Sequence, residues 1–234
     1  MFIPVHDDNP LRIIRAPFVT IGLIVLNALV FLWQASGAEM RVIASFAIIP
    51  FELFQVKFLG GPANGPLDAL PIAERYTLLS YMFFHGDLLH LVSNMTFLWV
   101  FGDNVEDAMG HLKFLVFYVA CGIIAGLTHT LMLPLSKVPL IGASGAVAGV
   151  IAAYLILHPR VRVWVLALRV IPLRITAGFA LGAWILTQLI MLFVPQSGPV
   201  AWWAHIGGII AGGILIVLMR RPGTPLFDRP SGTA

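Results

Sequence analysis

Charge is scarce in this chain. Only 11% of its 234 residues are Asp, Glu, Lys or Arg, where a soluble domain carries about a quarter. That scarcity excludes an ordinary water-soluble globule. The formal net charge of +3 gives no basis for a nucleic-acid partner. Cysteine is nearly absent too. A single residue, Cys121, excludes an intramolecular disulfide and a cysteine-rich metal site. The opening segment "MFIPVHDDNPLRIIRAP" lacks the short apolar run and small-residue cleavage site of a secretory leader. The first apolar run begins near Pro17 and reads as a retained span. What the chain has in plenty is apolar: 59% of residues, with a mean hydropathy of +0.93. It reads as an all-α polytopic membrane protein.

Six runs are long and apolar enough to cross, or nearly cross, a hydrocarbon layer roughly 30 Å thick. They are Pro17–Ser36, Asp87–Gly102, Leu112–Leu133, Ile141–Leu157, Pro172–Val194 and Trp202–Met219. The second and fourth are short, as suits spans enclosed by other helices. A long connector, 37–76, holds apolar patches ("VIASFAIIPFELF") and a Gly/Pro turn region ("LGGPANGP"). It reads as interfacial helices plus a loop. The expected division is an N-terminal segment 1–16, a six-helix membrane domain 17–219 and a loose tail 220–234.

Basic residues set the orientation. With the N-terminus in the cytoplasm, only Arg41, Lys57, Arg75 and Lys137 fall outside, and the other ten Lys and Arg fall inside. Both termini are then cytoplasmic. Arg160, Arg162, Arg169 and Arg174 are expected to face anionic membrane lipid.

Polar residues within spans are costly, so each is a functional candidate. In this topology the second, fourth and sixth spans all begin at the outer face. The second begins "HGDLLHLVSNM", with His85, His90 and Asn94; the fourth begins "GASG", with Ser144; the sixth begins "AWWAHIGG", with His205. These distant groups fall at one depth. Together they can support acyl transfer. A serine hydroxyl needs a base within reach, and Ser144 with His205 forms such a pair. A tetrahedral oxyanion needs fixed donors. The Ser144 N–H near a helix start is one. His90 and Asn94, four apart on one helix face, supply others. Gly145–Gly149 and Gly208–Gly212 have the small-residue spacing that lets membrane helices touch. Close approach of the fourth and sixth spans is what a dyad divided between them requires.

The blocks "FFHGDLLHLVSNMTFLWVFGDNVEDAMG", "GASGAVAG" and "AHIGGIIAGG", in this order and spacing, resemble the rhomboid family of intramembrane serine proteases. The likeness covers about Ala73 to Gly213. It implies a six-helix core that cleaves single-pass transmembrane protein substrates without metal or cofactor. Residue by residue, Ser144 resembles the nucleophile and His205 the general base. His90 and Asn94 match the oxyanion pair. His85 matches a structural or water-organising histidine, and Gly142 lies in the loop beside the nucleophile. Glu106 and Gly110 match a helix-tying position at the cytoplasmic end of the second span. The fifth span and the loop "PQSGPVA" are implied as gate and lid.

Two positions depart from the family pattern. Tyr76-Thr77, with Arg75 just upstream, stands where many members have Trp-Arg. Ala148 stands where some have a tyrosine that stacks on the base. Trp202 or Trp203 is the nearest aromatic in sequence to take that place.

Each feature also has a plainer reading. Ser144 fits a packing residue in a Gly/Ala helix, His205 an interfacial residue beside two tryptophans, and His90 with Asn94 an interhelical hydrogen-bonding pair. Cys121 reads as a small packing residue. A catalytically inactive rhomboid-like binder of transmembrane segments is the main alternative function. A metal or haem protein built on His85, His90, His129 and His205 lacks a cysteine or acidic ligand to accompany them. A transporter predicts paired intramembrane charges or inverted repeats, and the chain has neither. The compact chain suggests a bacterial plasma membrane.

Overall fold

The computed structural model describes residues 2–59, 69–70, 72–167, 170–194 and 200–227. In chain order the elements are β1 (Ile3–Asp7), α1 (Phe18–Ala35), α2 (Met40–Ala44), α3 (Pro50–Leu59), α4 (Glu74–Ser80), a 3₁₀ turn (Tyr81–Phe83), α5 (Leu88–Met109), α6 (His111–Met132), α7 (Ser144–Leu157), β2 (Arg162–Ala167), β3 (Ile171–Thr176), α8 (Ala177–Met191) and α9 (Trp202–Met219). Most of the described chain is helical. Three helices, α1, α6 and α9, are long and apolar enough to cross a membrane, while α7 and α8 are apolar but shorter. Helix α5 is as long as α6, at 22 residues each. Its last two turns carry Asp103, Glu106 and Asp107, so its polarity rises toward that end.

The all-α expectation needs correcting at one end of the bundle. The strands form an antiparallel sheet in the order β1-β2-β3, pairing Ile3 with Leu166 and Val163 with Ile175. Residues 172–176, the expected start of the fifth span, belong instead to strand β3. The hairpin partner "RVWVLA" supplies alternating burial, with Val163 and Val165 inside. The helix begins at Ala177, where the Thr176 hydroxyl accepts from Phe179 N–H at 3.3 Å. The fifth apolar helix is thus Ala177–Met191. Arg174 is drawn to protein rather than standing free for lipid: it donates to Asp8 through Nε at 2.9 Å and Nη2 at 2.5 Å. Arg160 donates to the Phe227 carbonyl at 2.7 Å. Arg169 lies outside the described residues, as do the turn region 60–68 and loop 195–199.

Helix α7 is the centre of the bundle. It is apolar on all sides, and Gly145 to Tyr154 are all buried, as expected of a helix enclosed by protein. Its contact with α9 is made by glycine. A Cβ on Gly208 would lie 2.0 Å from the Gly145 carbonyl oxygen, and one on Gly212 would lie 2.2 Å from that of Gly149. No side chain fits between these backbones. Gly149 also meets Cys121 of α6; an added Cβ would stand 2.6 Å from its sulfur. Cys121 is fully buried and packs there as a small residue.

Helix α1 has no side-chain cap of its own at Pro17. Glu106 of α5 supplies one from across the bundle. Its carboxylate accepts from Val19 N (3.0 Å), Thr20 N (2.8 Å) and Thr20 Oγ1 (2.7 Å), and from His111 Nδ1 at 2.5 Å. A helix N-terminus leaves its first amides without partners and favours negative charge. Asp107 does the same for the preceding segment, accepting from Arg12, Ile13 and Ile14 N–H at 2.7–3.0 Å. Gly110 ends α5 at φ +86, a conformation that L side chains rarely adopt. The connector packs short helices on the bundle rather than forming a span. Ile48 and Leu140 bond as an isolated bridge, and Ile48, Ile49 and Leu53 are buried.

Candidate active site

The starts of α5, α7 and α9 converge. Ser144 is the first residue of α7, following Ala143, so its N–H is one of the orphan donors of that helix. His205 lies in the first turn of α9 and is 9% exposed. Its Nε2 stands 2.9 Å from Ser144 Oγ across 61 residues of sequence. The glycine seam between α7 and α9 makes this distance possible. With a larger residue at Gly208 the two helix axes would separate, and the pair with them.

The loop before Ser144 is held from three sides. Gly142 donates its N–H to the Tyr81 carbonyl at 2.9 Å. It has φ +126, and a Cβ there would meet His90 Cε1 and Nε2 at 2.7 and 2.8 Å. Glycine is therefore required twice over, for its backbone conformation and for the space. The His90 ring thus lies against the loop that leads into Ser144. Gly86 N–H approaches His90 Nδ1 at a long 3.4 Å, which leaves Nε2, on the loop side, to carry the ring proton. Asn94 is buried one turn further along α5. One of its amide protons goes to the His90 carbonyl at 3.0 Å, which fixes the side chain's direction. Asp87 caps α5 by accepting from His90 N–H at 2.7 Å.

His85 sits beneath this arrangement. Its ring packs edge-on against His90, with centroids 5.0 Å apart, and its Nε2 faces Ala143 N–H at 3.5 Å. Its backbone pairs twice with the Gln34 side chain of α1, at 3.1 and 3.2 Å. Every residue singled out from the sequence, Ser144, His205, His90, Asn94, His85 and Gly142, therefore belongs to one neighbourhood. Among the described residues no three His, Cys, Asp or Glu gather as a metal site.

Two residues of this neighbourhood, Gln188 and Trp184, escape sequence reasoning. Gln188 of α8 is buried, and its Oε1 lies 2.8 Å from His205 Nδ1. Trp184, one turn earlier on α8, lies 6.0 Å from the His205 ring at 34°. Trp202 meets the same ring edge-on at 6.0 Å. The aromatic missing at Ala148 is thus replaced from two other helices. Trp202 is one of the two tryptophans that the sequence offered. Gln188 and Trp184 gave little signal, because a Gln and a Trp four apart in an apolar run look much like any lipid-facing helix. A polar Gln within such a run was the only clue.

Comparison with known proteins places the chain in a family. A family model described as "Rhomboid domain" matches residues 73–222. The chain is 28% identical over 200 residues to a presenilin-associated rhomboid-like protein, mitochondrial, of Mus musculus, covering 82% of this chain and 46% of that protein. It is 24% identical over 220 residues to RHOMBOID-like protein 12, mitochondrial, of Arabidopsis thaliana, covering 87% and 59%. With RHOMBOID-like protein 5 of the same plant it shares 32% over 150 residues, covering 64% and 46%. The chain thus spans about half the length of these curated relatives. The matched region runs from the start of α4 past the end of α9 and contains every candidate site residue. By that match, and by helices that suit a lipid bilayer, this integral membrane protein belongs to the rhomboid family.

Proposed function

We propose that the protein is an intramembrane serine endopeptidase that cleaves single-pass transmembrane proteins by a Ser144–His205 dyad. One observation carries the reading: His205 Nε2 lies 2.9 Å from Ser144 Oγ at the first residue of a buried helix. As His205 Nε2 takes its proton, Ser144 Oγ attacks the scissile carbonyl carbon. The resulting oxyanion is met by the Ser144 N–H and by donors from His90 and Asn94. His205 then gives the proton to the leaving amide nitrogen. Water hydrolyses the acyl-enzyme by the same route in reverse order.

The proposed topology has six spans, α1, α5, α6, α7, α8 and α9, within 17–219. The segments 1–16 and 220–234 are cytoplasmic. Helix α7 is about 21 Å long at 1.5 Å per residue, short of the roughly 30 Å hydrocarbon layer. Its first residue then sits below one membrane face, within reach of water from that side. A substrate helix hides its carbonyls, so it must unwind locally to meet Ser144. The shortness of α8 supports entry beside it. The compartment proposed from compactness is a bacterial plasma membrane; two of the relatives carry "mitochondrial" in their names.

The test is cleavage of a panel of single-span substrates by the purified protein, with cut sites mapped by mass spectrometry. Cuts near one membrane face that vanish in Ser144→Ala and His205→Ala are expected. Full turnover by Ser144→Ala would end the reading. Labelling of Ser144 by a fluorophosphonate separates a protease from a binder that holds transmembrane segments without cutting them.

A further inference from the structure

We propose that Gln188 is the positioning residue that fixes which nitrogen of His205 carries the proton. The inference rests on the reading of Ser144 and His205 as a dyad. A neutral imidazole has one N–H and one lone pair, and the bond made by one nitrogen decides the state of the other. The dyad needs the lone pair on Nε2, facing Ser144 Oγ. The proton must then stand on Nδ1 and needs an acceptor there. Gln188 Oε1 lies 2.8 Å from Nδ1.

The amide itself is not free to turn over. Its Nε2 donates to the Trp184 carbonyl, one helical turn back, at 3.0 Å. Flipping the amide would set its oxygen against that carbonyl oxygen and its NH₂ against Nδ1–H. Both hydrogen bonds would become repulsions. A chain of dependence follows. The Trp184 backbone fixes the Gln188 amide, the amide fixes the imidazole, and the imidazole offers its lone pair to Ser144. Gln188 is 4% exposed, so water does not compete for the amide. Trp184 and Trp202 flank the ring and confine its plane, while the amide sets its sense. Unlike the carboxylate of a Ser-His-Asp triad, this acceptor is neutral. It orients the base without placing a charge in a dry site.

Two variants separate positioning from packing. Gln188→Met keeps the length and loses both acceptor and donor. Gln188→Glu keeps an acceptor for Nδ1 but loses the donor to Trp184. The full-length proteins are compared in liposomes with a single-span substrate. Gln188→Met should lower kcat on the order of 10²–10³-fold with KM nearly unchanged. That is less than the loss of about 10⁴ seen when a triad histidine is left in the wrong tautomer, because the two indoles still hold the ring. Gln188→Glu should stay within about tenfold of the parent. A purely structural role predicts equal losses, since both variants break the Trp184 contact. The second readout needs no turnover: ¹⁵N spectra of histidine-labelled protein, with His205 assigned by difference from His205→Ala. The parent should show a protonated Nδ1 and a bare Nε2, and Gln188→Met a mixture. A parent with the proton on Nε2, unchanged kcat in Gln188→Met, or equal impairment in both variants overturns the proposal. A parent that shows Nδ1–H but cuts no substrate supports the tautomer lock and sinks only the protease reading.

Discussion

The sheet end of this bundle and the surroundings of Ser144 handle buried polar groups in opposite ways. At the sheet end, full carboxylates are enclosed and saturated. Glu106 accepts four hydrogen bonds and Asp107 three, most from backbone N–H groups. Around Ser144 the groups are neutral and sparsely bonded. Ser144, His205 and Gln188 form a single line of contacts, and His90 keeps a ring nitrogen turned toward the loop before Ser144. A saturated carboxylate ties helices together and has nothing left to give a substrate. A thinly bonded serine and histidine contribute little to stability, yet can exchange protons and partners. The first set is built to hold, and the second is the set proposed to react.

That contrast predicts which variants lose activity and which lose the fold. The largest effect belongs to His205→Ala. Cleavage of a single-span substrate should fall by at least about 10³-fold, while thermal unfolding in detergent stays close to the parent's. A large drop in melting temperature would blur the contrast. At the sheet end Glu106→Ala leaves the first-turn amides of α1 and the Thr20 hydroxyl without their partner. It should cost about 3–5 kcal/mol, read as a lower unfolding midpoint, with kcat of the remaining folded fraction unchanged. Gly208→Ala tests the seam between α7 and α9. Its methyl group would meet the Gly145 carbonyl, and the helices can relieve it only by moving apart. About 1–3 kcal/mol of stability should be lost, and cleavage should drop more than stability does because Ser144 and His205 part. Thermal scans and cleavage rates on the same samples separate the two effects.

The smallest predicted effect is a pH dependence at the sheet end. Asp7 is buried, and Tyr154 Oη donates to it at 2.5 Å. Burial pushes its carboxyl up from 3.8 to about 6, against the opposing pull of that hydrogen bond. The folded chain then holds the proton more tightly than the unfolded chain. The stabilising contribution is full below about pH 4 and is lost as pH rises through about 6. The parent should unfold at a lower temperature at pH 7.5 than at pH 5, by up to about 2 kcal/mol of stability from this group. Asp7→Asn should flatten that difference. If the two pH profiles coincide, Asp7 is not the group responsible.

The candidate site was more legible than the fold around it. Ser144, His205, His90 and Asn94 could be read because each is a polar residue at the start of an apolar run, where its cost demands a reason. The glycine pairs could be read because their spacing of four matches the helical repeat. The sheet was not, since "IPLRIT" is apolar enough to pass for the start of a span, and β1 lies more than 150 residues in sequence from β2, the strand it pairs with. The clamp by Asp107 was missed because an acidic residue at a helix end looks like solvated surface. Only the return of residues 12–14 to that spot shows otherwise. Gln188 was missed because its partner His205 lies on the next helix, and no local pattern links them.

The sequence by itself determined that the chain enters a membrane, which helices start with reactive groups, and that two of those helices carry matching small-residue faces. These follow from composition and periodicity, which are local along the chain. Only the tertiary structure decided that the Ser144 hydroxyl and the His205 imidazole meet at 2.9 Å, that a glutamine stands behind that imidazole, and that carboxylates of α5 cap α1 and hold residues 12–14. Those contacts depend on how closely helices approach and which faces they turn to one another. Such distances are set by backbone packed against backbone, as at Gly145 and Gly208, and are written in no single segment.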